Sequence, residues 1–260
     1  MSIITLTTDF GFDNWFVGTM KGVILSIAPD TGIVDLNHGI NSFDIRSAVF
    51  SLGAGYRYFP EGTVHVAVID PGVGGHRRVL VAQTQKYFFV APDNGILPAL
   101  LENEQGVKLF HARNHDYFLP HISNTFHGRD IFAPLSAYLA NGVNPQQIGT
   151  EINDPVIMDS LRVKKISDSI IEGEIVFIDK FGNMITSVSR NDLDGMARIE
   201  LPDIGIGPGR INRSYSDVAP GNLALLIGST GYLELAVNQG SASVLLGLKK
   251  GDKIRIIKHS

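Results

Sequence analysis

The chain has 260 residues, of which 44% are hydrophobic and 18% charged, with a formal net charge of −4 and no cysteine. This describes an ordinary soluble globular protein with chain enough for one large domain or two modest ones. The slightly acidic balance argues against a dedicated binder of nucleic acid or of anionic membrane, and the lack of cysteine excludes disulfides, thiolate catalysis, iron–sulfur clusters and cysteine-ligated zinc.

No apolar run approaches the roughly 20 residues that a membrane span needs. The start, Met1-Ser2-Ile3-Ile4, enters a strand with no basic region or small-residue cleavage site, so the expected location is the cytoplasm. A strand over 3–8 ends at Asp9-Phe10-Gly11. A helix follows over 15–27, with Phe16, Met20, Val23, Ile24 and Ile27 near 3.6-residue spacing, stopped by Pro29. A strand over 32–36 and a helix over 43–59 come next. The apolar run 66–69 then reads as a strand buried on both faces, halted by Asp70-Pro71-Gly72. Gly74 and Gly75 follow, and a turn there would return Arg77 to Asp70.

Further strands are expected over 79–83 and 87–91, the latter closing on Pro92-Asp93-Asn94-Gly95, then a short helix over 96–101 and a strand over 107–111. Strands alternating with helices imply βαβ units and a mainly parallel sheet. Residues 111–129 form a long polar and aromatic loop, ordered by its aromatic and histidine content, before a helix over 130–139. After Pro155 the helical period disappears. Short apolar runs over 170–178, 184–188, 197–201, 223–227, 233–236, 242–245 and 253–257, punctuated by glycines, suggest a small antiparallel barrel or sandwich. The expected organisation is an α/β domain over 1–156, a linker over 157–168 and an all-β barrel domain over 169–260, with ligand between domains of different class.

Asp179-Lys180-Phe181-Gly182-Asn183 sits between two β runs. It is either a β-turn with Asp and Gly-Asn in turn roles, or a site where the acid binds an amine and Phe181 and Asn183 stack on and read a base. His127, in Thr125-Phe126-His127-Gly128-Arg129-Asp130 at a helix mouth, can tune or accept a proton near neutral pH, while Arg129 and Asp130 can simply pair. His111, His115, His121 and His127 match no zinc spacing. Dinucleotide and P-loop fingerprints are missing. Thr7-Thr8-Asp9-Phe10-Gly11-Phe12-Asp13-Asn14 is similar to the calcium motif of nucleoside hydrolases, but Thr7 and Asn14 stand where two acids belong, and a hard cation wants several carboxylates.

Taken in order, Thr8-Asp9-Phe10-Gly11, Asp70-Pro71-Gly72-Val73-Gly74 with Arg77, Phe126-His127-Gly128-Arg129-Asp130, Asp179-Lys180-Phe181-Gly182-Asn183, Gly228-Ser229-Thr230-Gly231-Tyr232-Leu233-Glu234 and Ala236-Val237-Asn238 resemble the S-adenosylmethionine hydrolases, or hydroxide adenosyltransferases, relatives of fluorinase and chlorinase. The resemblance covers nearly the whole chain. It implies an α/β domain followed by a β-barrel, a homotrimer with substrate between neighbouring subunits, no cofactor and no metal. It implies that Asp9 holds the ribose diol, that Phe181, Asn183, Tyr215 and the backbone near Val237 frame the adenine, and that Asp179, Ser229 and Thr230, near Glu234, hold the methionine end. Asp70, Arg77 and His127 would position and polarise water, with Phe10, Phe43 and Phe126 lining a dry cage.

The halogenating relatives carry tyrosine at the place of Asp70, serine at that of Gly128 and a long insertion after the Asp70 turn. Asn14 stands where the family commonly has an acid. The implied reaction is hydrolysis of S-adenosyl-L-methionine to adenosine and methionine by attack of water on ribose C5′. A metal-dependent nucleoside hydrolase and a non-catalytic S-adenosylmethionine or adenosine-binding protein are the alternatives.

Overall fold

A computed structural model describes residues 2–158, 163–193 and 198–259 and divides into two units, Met1–Met158 and Asp159–Ser260. In the first, β1 (Ile3–Thr8), α1 (Phe16–Ile27), β2 (Gly32–Asn37), α2 (Ile45–Gly55) and β3 (Val64–Val68) form two successive crossovers. There follow β4 (Val79–Gln83), β5 (Phe88–Pro92), α3 (Ile96–Leu100), β6 (Lys108–Ala112), α4 (Ala133–Ala140), α5 (Pro145–Ile148) and β7 (Gly149–Ile152). The strand order is β2-β1-β3-β5-β4-β6-β7. β1, β2, β3 and β5 pair in parallel, whereas β4 runs antiparallel to β5 and β6, and β7 antiparallel to β6. Five of the seven strands therefore share one direction, as the alternation of elements implies.

Alternation along the strands separates two apolar layers. Ile4 and Leu6 of β1 and Val64, Val66 and Val68 of β3 face α1 and α4, joining Met20, Ile24, Phe132 and Leu135 in one core. Thr5, Thr7 and His65 point the other way and are all fully buried. There His65 lies against Tyr56, Phe59, Tyr87 and Phe89.

Register decides what the strand tips carry. β1 and β3 are neighbours, with Thr8 opposite Val68, but their crossovers leave in opposite directions, to β2 on one side and from β2 across to the other. Such a reversal of strand order opens a crevice at the carboxyl ends, where open α/β sheets bind ligands. Asp9 and Asp70 stand just beyond these two ends.

In the second unit, β8 (Lys164–Lys165), β9 (Ile170–Ile178), β10 (Met184–Ser189), β11 (Arg198–Leu201), β12 (Ile206–Arg210), β13 (Leu223–Ile227), β14 (Tyr232–Val237), α6 (Ala242–Leu246) and β15 (Lys253–His259) follow. The sheet order β12-β11-β15-β9-β10-β14-β13, with β8 on β9, is antiparallel throughout. Just past β12, Asn212 bridges to Leu226 of β13, so the two ends of the sheet approach each other and it is nearly closed. Ile175, Met184, Val188, Leu225, Leu233, Leu235, Ile254 and Ile256 fill the inside. This is the barrel that the short β runs predict.

Several local expectations need correction. Residues 242–245 are helix α6 rather than a strand, because Ser241 accepts the Val244 amide as a cap and Gly247, at φ 66°, ends the turn. The second helix starts at Ile45, not at 43. Phe43 has φ 66°, which forbids helix, and Asp44 caps Ser47. This helix ends at Gly55 and passes into a 3₁₀ turn, Tyr56–Tyr58. The helix expected from 130 is preceded by a π turn, Gly128–Phe132. The glycine-rich stretch 205–209, expected as punctuation, contributes β12, which pairs with β11. Within the expected linker, Lys164–Lys165 form a strand, and 159–162 lie outside the described residues, as does Ala197. Among the described residues no helix is long and apolar enough to cross a membrane.

Candidate active site

Beyond β3 the chain turns at once. The Val73 amide bonds Asp70 O at 3.2 Å, the Gly75 amide bonds Gly72 O at 3.0 Å, and Gly74 takes φ +76°, a left-handed value that suits glycine. From the end of the neighbouring strand β5, Asn94 donates its side-chain amide to Ile69 O at 2.8 Å, fixing the strand end. The turn carries Arg77 back so that Nε lies 3.0 Å from each Asp70 carboxylate oxygen, and Nη2 bonds Oδ2 as well. The pair is largely shielded, with side-chain exposures of 11% for Arg77 and 6% for Asp70. Desolvated, bidentate geometry of this kind gives orientation as well as attraction.

Arg77 has a second partner. Its Nη2 donates to His127 Nδ1 at 2.6 Å, while the guanidinium lies over the Phe132 ring at 5.4 Å. A guanidinium cannot accept a hydrogen bond, so Nδ1 is the lone-pair nitrogen and neutral His127 keeps its proton on Nε2. Burial, reinforced by the Arg77 charge, holds His127 below the ordinary histidine range, with Asp70 and Asp130 opposing in part. His127 starts the π turn, a distortion frequent at functional sites. Asp130, fully buried, accepts the Ser123 amide at 2.7 Å and pairs with Arg129, which ties the preceding loop down.

Asp70 and His127 open on a cavity of about 270 Å³, whose wall also includes Asp9, Phe10, Phe43 and Phe126. Six of the expected site residues of the first unit thus line one space, and Arg77 bonds two of them from behind. Phe10, Phe16 and Phe126 pack with ring centres 4.8–6.0 Å apart, so much of the wall is aromatic. Asp9 Oδ2 accepts the Phe43 amide at 2.8 Å, and Phe43 itself holds a left-handed backbone that a bulky residue rarely adopts. Phe16, Ser42, Val68, Val73, Thr125 and Gly128 complete the lining. Of these, Phe16 was legible only as part of an apolar helical stripe, and Ser42 carried no signal.

The calcium-like reading of the first loop finds its groups otherwise engaged. Asn14 donates to Phe10 O at 2.6 Å and accepts the Phe16 amide at 2.9 Å. Among the described residues no three histidine, aspartate or glutamate side chains gather as a metal site would.

In the second unit, Asp179 shapes its turn: Oδ1 accepts the Phe181 and Asn183 amides at 2.8 and 2.9 Å, and Oδ2 accepts the Asn183 side-chain amide at 2.9 Å. The turn reading of this motif is therefore correct as geometry. It leaves Phe181 64% exposed, with Lys180 over its ring at 4.9 Å, while Asn183 is buried. Tyr215 donates its hydroxyl to Glu234 Oε1 at 2.7 Å. Burial raises the Glu234 carboxyl, and the Asp179 charge adds to this against the Tyr215 hydrogen bond. Burial and Glu234 raise the Tyr215 phenol. Ser229 and Thr230 form the β13–β14 turn, and Val237 O accepts the Gly240 amide at 3.1 Å.

Comparison with known proteins agrees with this architecture. Residues 4–149 match the SAM hydroxide adenosyltransferase N-terminal domain, and residues 173–255 match the corresponding C-terminal domain. A Thermus thermophilus protein named (R)-S-adenosyl-L-methionine hydrolase is 35% identical over 99% of this chain and 100% of its own length. A fluorinase from Actinoplanes is 26% identical over 98% of this chain and 97% of its own. The crystal structure of an uncharacterised conserved protein from Thermotoga maritima superposes with a TM-score of 0.89 at 33% identity, covering 98% of this chain and 100% of that one. The chain belongs to the SAM hydroxide adenosyltransferase family.

Proposed function

We propose that this protein hydrolyses S-adenosyl-L-methionine to adenosine and L-methionine, with Asp70, Arg77 and His127 managing the water. The observation that carries the reading is the contact chain Asp70–Arg77–His127 opening on an aromatic-walled cavity at the β1/β3 reversal. Water attacks C5′ as the C5′–S bond breaks. The bonding pair stays on sulfur, giving neutral methionine, and the water gives up one proton. A developing hydroxide and a sulfonium cancel charge as they meet, so exclusion of bulk water helps the step. With Nδ1 taken by Arg77, His127 offers the Nε2 proton as a donor that orients water. Asp70 is the member of the chain that can receive the proton.

Asp9 is assigned to the ribose diol, with Phe10, Phe43 and Phe126 about the reacting centre. Phe181, Asn183, Tyr215 and the backbone at Val237 are assigned to adenine, and Asp179, Ser229, Thr230 and Glu234 to the methionine end. The assembly proposed is a homotrimer whose sites each join the first domain of one subunit to the second of the next. No cofactor is invoked.

The test is to incubate pure protein with the R and S sulfonium epimers separately, with and without chloride, and to resolve products by chromatography. The name of the Thermus relative specifies the R epimer, and adenosine plus methionine from that epimer is expected. 5′-Chloro-5′-deoxyadenosine would overturn water as nucleophile, and loss of activity in EDTA would favour a metal-dependent nucleosidase. Asp70→Ala is expected to bind substrate normally and to lose about 100-fold or more in turnover, the scale of a positioned acid–base group. Wild-type turnover in that variant would remove Asp70 from the chemistry.

A further inference from the structure

Behind Asp9 runs a line of hydrogen bonds that the reaction as described does not use. His38, 1% exposed, sits beneath the tip of β1. Its Nε2 lies 3.0 Å from Asp35 Oδ1 and its Nδ1 lies 2.7 Å from Thr8 Oγ1. Thr8 is fully buried, and its Oγ1 also accepts the Phe10 amide at 3.2 Å. His38 contributes backbone too, its carbonyl accepting the Gly11 amide at 2.9 Å, and its ring meets Phe12 edge to face at 4.9 Å. At the outer end Lys21 of α1 bonds Asp35 at 2.6 Å.

The donors and acceptors give this line a direction. Partial burial of Asp35 works against ionisation, but the hydrogen bonds from Lys21 and His38 outweigh it and hold the acid below its ordinary range. As a carboxylate it only accepts, so His38 Nε2 carries a proton. Where the second ring nitrogen carries no proton, Nδ1 accepts, and the Thr8 hydroxyl donates to it and turns its lone pairs toward the Phe10 amide. Asp9 lies between the two residues so anchored, and its own carboxylate meets the Phe43 amide from the other side.

We propose that Thr8, His38 and Asp35 are positioning residues that hold the Asp9–Phe10 peptide, and hence the Asp9 carboxylate, in the orientation that reads a ribose diol. The inference rests on the assignment of Asp9 to the ribose. Its test is the affinity of the intact protein for adenosine against 2′,3′-dideoxyadenosine by calorimetry, because a loss of general fold would weaken both ligands alike.

The wild type is expected to prefer adenosine, and Asp9→Asn to abolish the preference. If Asp9→Asn keeps it, the ribose assignment falls and takes this inference with it. Thr8→Val is expected to cut the preference about fivefold or more, of the size of one ordinary hydrogen bond, and Thr8→Ser to restore it. Asp35→Ala, at the half-exposed end of the line, gives a milder variant that is expected to cut the preference in the same direction. If Asp9→Asn loses the preference while folded Thr8→Val or Asp35→Ala retains it at the wild-type level, the line is merely structural and the proposal is overturned.

Discussion

His127 meets Arg77 through Nδ1 at 2.6 Å, and that single contact ties its protonation state to its role. Protonation would place a second N–H against a guanidinium donor, so the contact survives only with the ring neutral. Since burial and Arg77 lower the His127 pKa in the folded protein, the neutral form persists below the usual value of about 6.5. The profile of kcat/KM should therefore be flat from neutral pH down past about 6.5 and fall only at more acid pH. An acid limb centred above the ordinary histidine value would contradict this assignment. His65 is a different kind of histidine. It bonds Thr5 at 2.8 Å, its Nε2 finds no partner among the described residues, and burial pushes its pKa down to about 4. None of the aromatic rings around it lines the cavity.

At the scale of elements, the turn after β3 and the loop before the π turn are locked together at one point. A methyl added at Gly74 would lie 2.2 Å from Asn124 O and 3.2 Å from that carbonyl carbon, on a backbone at φ +76°. Backbone cannot yield as a side-chain tip can, so Gly74→Ala must push apart the segments that carry Asp70 and Thr125. Gly62→Ala is the matched control: it too has positive φ, at +84°, but has open space around it. The control should lose about 1 kcal/mol of stability, the left-handed penalty, with turnover intact. Gly74→Ala should lose more stability in denaturant titration and about tenfold or more in kcat, since small misplacements of reacting groups are costly. Equal behaviour of the two variants would show that the contact at Asn124 does not matter.

Elements also show where the amino-acid pattern was readable. The runs 170–178 and 223–227 are strands over those very residues: the first is apolar and β-branched on either side of Glu172-Gly173-Glu174, the second is apolar throughout, and turn formers bound both. Ala242–Leu246 misled because a short apolar run has no period that separates helix from strand, and only its flanking caps, Ser241 and Gly247, carried the information. Asp70 and Arg77 could be joined from the sequence since only six residues, a glycine-rich turn, lie between them. His127, 50 residues further on, stands out by its setting at a helix mouth, but only the family resemblance joins it to Asp70 and Arg77. The Thr8–His38 bond needed the tertiary placement of the β2 end beside that of β1, which no local pattern encodes.

Over the whole molecule, surface composition bears on assembly. In the first unit Phe12, Trp15 and Phe43 are 66–71% exposed, and in the second Phe181, Val244 and Leu245 are 58–82% exposed. Exposed apolar side chains mark contacts with other molecules where they join into a patch, and the proposed trimer would supply such contacts for these. Light scattering at micromolar concentration should find three chains, and dilution that dissociates them should abolish turnover. A fully active monomer would remove the inter-subunit site from the proposal.

The placement of the reacting groups has a consequence for how such a protein can change. Val66 and Val68 of β3 are locked in the core, whereas Asp70 stands two residues past the last ladder position, on a turn that no strand pairs with. The proposed water-facing group, Asp70, can thus be replaced without removing a side chain from the sheet's core, although Val68 and Phe126 belong to both the cavity wall and the core. A lineage can vary what attacks the substrate while conserving the frame that holds it. Fluorinases, at about a quarter identity over nearly the full chain, are what a family with that separation of frame from chemistry would be expected to contain.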